Sequence, residues 1–158
     1  MFGRLGSSNE SRAETLAILE SLLKIGRLLQ NLTVDEILNM TLAEKLELQS
    51  ADIIALGKVV NGGMPFVLET NRAVDILQAL SIKQKYSLNL VLASVEEAPM
   101  VLDELKESNT PVIIDPMDNI PNSFDELGSS LNLGKILDDA GIPITVSYTH
   151  LRAHETPA

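Results

Sequence analysis

Four short apolar runs, spaced along the second half of the chain, restrict its fold more than any other feature. They are "PFVLET" (65–70), "LNLVLA" (88–93), "PVIID" (111–115) and "IPIT" (142–145), and the first three begin 23 residues apart. Between them lie "NRAVDILQALSIKQKY", "VEEAPMVLDELKES" and "SFDELGSSLNLGKILDDAG", whose composition and spacing suit amphipathic helices. A strand apolar along its whole length is buried on both faces, and each gap has room for a crossover helix. The pattern therefore predicts parallel βα units, an α/β fold with helices covering the sheet. At this point two architectures fit: an open doubly wound sheet, or part of a (β/α)8 barrel. No G-x-G-x-x-G or Walker loop follows any of the runs, which counts against nucleotide binding.

Upstream the pattern changes. Residues 1–8 are rich in Gly and Ser and read as a disordered lead. Residues 9–63 read as helical, with Ala13, Leu16, Leu19, Leu22, Leu23, Ile25 and Leu29 near helical spacing. Thr33 with Glu36 and Thr41 with Glu44 form S/T-x-x-E capping boxes, each marking a helix start. A further helix over 51–60 is ended by Gly62 and Gly63. The βα units then occupy 64–145, where Met100, Leu102 and Leu105 are expected in the core.

At 158 residues, with 45% hydrophobic and 22% charged residues, the chain has the balance of about one globular domain. A net charge of −10 argues against nucleic acid and anionic membrane surfaces as partners, since both attract basic faces. With no cysteine, disulfides and thiolate metal sites are excluded. No apolar run approaches the roughly 20 residues that span a bilayer, and the start, "MFGRLGSSNESR", has no apolar signal-peptide core.

The last residues raise a separate question. "THLRAHE" (149–155) holds both histidines of the chain, His150 and His154, at i, i+4 with Glu155 beside them. That is the spacing by which a helix presents metal ligands, although a polar terminal stretch is more often a frayed tail. The run from Val146 to Thr156 resembles the translation of a transposase adapter used in sequencing libraries, and residues 146–158 are expected to be a non-native tail. Without it the chain has no histidine, so Ser94 has no partner for a serine triad.

In either parallel architecture, functional groups gather where strands end. The candidates are Glu69, Thr70, Asn71 and Arg72 after the first run, and Ser94 and Glu96 after the second. Asp115, Asp118, Asn119 and Asn122 follow the third. Glu69 could serve as a base or metal carboxylate, or could stand where a helix dipole favours an acid. Arg72 with Asp75, at i, i+3, suits a helix-surface ion pair better than an anion clamp. Asp115 before Pro116 reads equally as a turn former or a rim ligand.

"ETNRAVDILQAL", "LVLASVEEAPMVLDEL", "TPVIIDPMDNIPNSFDELGSSL" and "DDAGIPIT" together resemble the imidazolonepropionase-like branch of the metal-dependent amidohydrolases, from about Pro65 to Thr145. The resemblance implies a (β/α)8 barrel, with these strands as roughly the fifth to eighth and a helical segment before them. A whole barrel takes about 250 residues, so the chain reads as a fragment. In active relatives, one or two divalent metals, commonly zinc, activate water to hydrolyse C–N bonds in amides and cyclic amides. Their strand-five motif resembles HAHRADDI, where this chain has Glu69-Thr70-Asn71-Arg72-Ala73-Val74-Asp75-Ile76. Their strand-six pattern resembles V-I-E-H-G-x-E-A, where this chain has Val91-Leu92-Ala93-Ser94-Val95-Glu96-Glu97-Ala98. Glu69 and Ser94 thus occupy histidine ligand positions, and the strand-eight Asp would fall near Thr149. These departures imply a fragment with no cofactor and no catalysis of its own. The alternative is a non-catalytic barrel that binds a small amide-like ligand or supports an active amidohydrolase paralogue. Glu69, Asn71, Arg72, Ser94, Asp115, Asp118 and Asn119 are the candidate pocket rim.

Overall fold

The computed structural model describes residues 2–4, 11–29, 50–115 and 128–147. Its elements run β1 (Phe2–Arg4), α1 (Arg12–Leu29), α2 (Ser50–Val60), β2 (Phe66–Thr70), α3 (Ala73–Tyr86) and β3 (Leu90–Ser94). A 3-10 turn (Ala98–Met100), α4 (Leu102–Glu107), β4 (Val112–Ile114), α5 (Leu133–Asp139) and β5 (Ile144–Val146) complete the order. The chain divides into two compact units, 1–66 with 82–89, and 67–81 with 90–158. The first holds β1, α1, α2 and the end of α3, and the second the rest of the βα units. Both capping boxes, Thr33 with Glu36 and Thr41 with Glu44, lie outside the described residues.

In the first unit, α1 starts where Ser11 accepts the Glu14 N–H on its Oγ at 3.2 Å. Ser11 with Glu14 is itself an S-x-x-E pattern, so the signal for this start was present in the sequence. Half-buried and buried positions at 12, 15, 16, 19, 22, 23 and 26 give α1 one helical face. Gly26 brings that face close to α2, because a Cβ there would lie 3.1 Å from Val60 Cγ2 and 3.4 Å from Leu56 Cβ. Leu23, Leu56, Val59 and Val60 are buried around it. Phe2–Arg4 corrects the disordered lead: it is a strand, too short for alternation to show in its sequence.

In the second unit, β2, β3, β4 and β5 lie side by side in chain order. β3 pairs parallel with β4, Leu92 opposite Val112, and β4 parallel with β5, Ile113 opposite Thr145. At the two ends of β2, Phe66 N–H donates to Asn89 C=O and Thr70 C=O accepts from Val95 N–H, both rising together as a parallel ladder requires. Burial alternates along β2 and β3. Leu68, Thr70, Leu90, Leu92, Val112 and Ile114 form a fully covered face. On that face α5 lies close enough to β4 that a Cβ at Gly134 would sit 3.2 Å from Ile114 Cδ1. Val67, Glu69, Val91, Ala93 and Ile113 form the opposite, half-buried face.

All four of the helices α2 to α5 stop in the same way. Gly62, Ser87, Asn109 and Gly141 follow them with positive φ, and the next residue's N–H reaches back across the last turn, as in Gly63 to Lys58 C=O and Ile142 to Leu137 C=O. These are Schellman closures, which satisfy carbonyls that the helix end leaves free. Met100 corrects the expected core: it stands on the 3-10 turn, 71% exposed, while Leu105 is fully buried. Asp75 is buried rather than on the helix surface. β5 runs to Val146, and Ser147 N–H still donates to Ile114 C=O, so pairing continues past the boundary drawn at 145. Backbone pairing is indifferent to side-chain identity.

Candidate functional site at the strand ends

The parallel order brings the ends of β2, β3 and β4 to one edge of the sheet. Glu69, Asn71, Arg72, Ser94 and Asp115 all reach that edge and are all half-buried. Asp118 and Asn119 lie outside the described residues. Ladder geometry sets Thr70 opposite Ser94, and therefore Glu69 level with Ala93. Continuing the register, Glu69, Ala93, Ile113 and Thr145 form one row, the first three half-buried and Thr145 exposed. Glu69 is thus the single ionisable group in a row of apolar and hydroxyl side chains.

Ser94 and Val95 are the two positive-φ residues that no helix end explains, at φ 75° and 58°. A β-branched residue in the left-handed region is sterically costly, and Val95 is fully buried. This is a conformation that glycine adopts without steric cost, and a valine holds it here. The left-handed pair turns the chain after β3 back over the end of β2. There Val95 N–H donates to Thr70 C=O at 3.0 Å and Glu97 N–H to Asn71 C=O at 2.9 Å.

Glu97 then closes the site's framework. Its Oε2 accepts the Ala73 N–H, the first of α3, at 2.9 Å. A free backbone N–H at a helix start favours such a carboxylate. Gly128 packs on the same side chain, since a Cβ there would fall 2.6 Å from Glu97 Cγ. Sequence reasoning passed over both residues. The acid of H-G-x-E-A marked Glu97, whereas nothing local marks Gly128. Two further polar atoms at this edge, Thr70 Oγ1 and Asn71 Oδ1, are buried with no hydrogen-bond partner among the described residues.

Parallel strands with helices between them, a preceding helical segment and a polar edge at the strand ends make up a partial (β/α)-barrel fold. Among solved structures, the chain is similar to an amidohydrolase from Thermotoga maritima MSB8, with a TM-score of 0.74 and 18% sequence identity. The similarity covers 93% of this chain and 40% of that one. The chain therefore spans less than half the length of the protein it resembles, and at this identity the likeness is one of fold. No family model matches the chain, and no curated protein matches its sequence.

Proposed function

We propose that the chain is part of an imidazolonepropionase-like amidohydrolase barrel whose strand ends help bind a small amide-like ligand, without hydrolysing it. The observation that carries this reading is the identity of two residues at the site edge. Glu69 and Ser94 stand where the family pattern has histidines. A divalent metal needs several converging donors. Among the described residues no three His, Cys, Asp or Glu side chains are grouped to hold one. Ser94 offers a hydroxyl, a poor ligand for such a metal. These residues do not fit the metal of active relatives, and hydrolysis is not assigned to them. What they do offer is polar groups for an amide: Asn71 and Arg72 as donors and Glu69 as an acceptor, beside the apolar Val91 and Ala93.

Two measurements on the full chain test it. After dialysis against chelator and back into zinc, metal analysis is expected to find no stoichiometric zinc. One zinc per chain, lost in Glu69→Gln, would overturn the non-catalytic reading. Calorimetric titration with N-acyl amino-acid amides and cyclic ureides is expected to show binding. Arg72→Ala should weaken it by about tenfold, the scale of one charge-assisted hydrogen bond. Absence of binding to either class would refute the ligand assignment.

A further inference from the structure

We propose that Glu97 is a latch that joins three loops of the strand-end rim into one cooperative unit, with Gly128 as the seat it closes on. Its link to ligand binding rests on the reading above; the latch itself does not.

Three contacts converge on this one residue. Its backbone N–H holds the Asn71 carbonyl, which fixes the loop carrying Asn71 and Arg72. Its carboxylate holds the Ala73 N–H, which fixes the start of α3 directly after that loop. Its Cγ occupies the space that a side chain at position 128 would need, which fixes the segment leading into α5. The left-handed turn at Ser94–Val95 is what delivers Glu97 to this position. A buried valine at φ 58° persists only where its surroundings over-determine it, and the bonds to Thr70 and Asn71 on either side supply that constraint.

The geometry has a specific consequence. A methyl group at 128 cannot coexist with the present Glu97 rotamer, because 2.6 Å is closer than carbon atoms approach without bonding. Swinging Cγ aside would relieve the contact and would also withdraw the carboxylate from Ala73. A change at 128 is thus transmitted to the first turn of α3, through a side chain belonging to neither segment. Asn71 and Arg72 would loosen along with it, so that rim order on one side depends on packing on the other. Glu97 is a positioning residue by this argument.

Amide hydrogen exchange by NMR on the full chain, without ligand, tests the coupling. Glu97→Ala is expected to speed exchange at Ala73 by about tenfold, the scale of a lost helix cap, while Leu92 and Val112 remain protected. Glu97→Gln retains a carbonyl acceptor and should restore protection to within about twofold of the parent. Gly128→Ala alone should reproduce the Glu97→Ala pattern at Ala73. In the double variant, Gly128→Ala should add nothing, because the group it collides with is gone. Unchanged exchange at Ala73 in Gly128→Ala would overturn the latch, and so would effects of the two substitutions that simply add. If Glu97→Ala fails to fold, Gly128→Ala and Glu97→Gln still decide it. Since no ligand is present, failure of the latch and failure of ligand binding are separately visible.

Discussion

Lys83 and Lys85, two residues apart in the last turn of α3, respond to their surroundings in opposite directions. The Glu20 carboxylate, bonded to Lys85 Nζ at 3.0 and 3.1 Å, raises that ammonium's pKa above its ordinary 10.5. Burial lowers the pKa of Lys83 below the same value. A raised folded-state value contributes stability that is full below 10.5 and is lost as pH climbs through the folded pKa. A lowered one does the reverse: its cost is full below the folded pKa and disappears as pH climbs to 10.5. Lys85→Met should therefore destabilise the chain at neutral pH, with the difference closing in alkali, and Lys83→Met should stabilise it, with the gain closing likewise. Urea melts at pH 7 and pH 11 would check both signs; parallel behaviour of the two variants would refute the assignment. Buried hydroxyls make a second residue-scale case. Tyr86 Oη and Thr70 Oγ1 have no hydrogen-bond partner among the described residues. Removing such a group relieves a desolvation cost. Tyr86→Phe and Thr70→Val are each expected to raise stability by about 1 kcal/mol, measured by denaturant midpoint.

Element ends are where this chain uses left-handed backbone. Four helices close through Gly62, Ser87, Asn109 and Gly141, and only the two glycines adopt that conformation without steric cost. Ser87 is exposed, so its side chain contributes little packing. Ser87→Gly should raise the melting temperature, with a gain of about 1 kcal/mol, while Gly141→Ala should lose a similar amount. Equal melting temperatures for parent and Ser87→Gly would show that the serine makes a compensating contact. The α3 terminus is also tied from outside: Arg27 Nη1 reaches the Lys85 carbonyl at 3.5 Å, a cation placed where the helix dipole is negative. These devices need only local sequence and one neighbour, which is why the glycines at 62 and 141 could be read in advance and Ser87 could not. Serine in the left-handed region carries no signature.

At the scale of the whole molecule, the sheet order among the described residues ends at β5. Val112 N–H donates to Pro143 C=O and Ser147 N–H to Ile114 C=O, so the N–H groups of Ile144 and Val146 point away from β4. An edge of this kind invites strand pairing between molecules. Self-association is expected in sedimentation velocity, and Val146→Pro, which removes one outward donor on an edge strand, should reduce it. A parent chain monomeric at high concentration would contradict this.

The regular spacing of apolar runs was enough to foresee parallel βα units, because burial on both faces and a crossover helix leave a periodic trace. All four runs became strands. That periodicity left an open sheet and a barrel equally possible; the fold similarity to a known amidohydrolase supports the barrel. For the site, the rule that function gathers at strand ends placed Glu69, Asn71, Arg72, Ser94 and Asp115 on one edge, as the structure does. What the sequence could not convey was which residues hold that edge together. Gly128 and Glu97 are far apart in the chain and meet only because the 3-10 turn after β3 and α5 are neighbours in space, while the turn at Ser94–Val95 breaks the local rule that keeps valine out of the left-handed region. Short-range pattern records the preferences of each segment; contacts between segments, and the strain they sustain, exist only once the sheet has assembled.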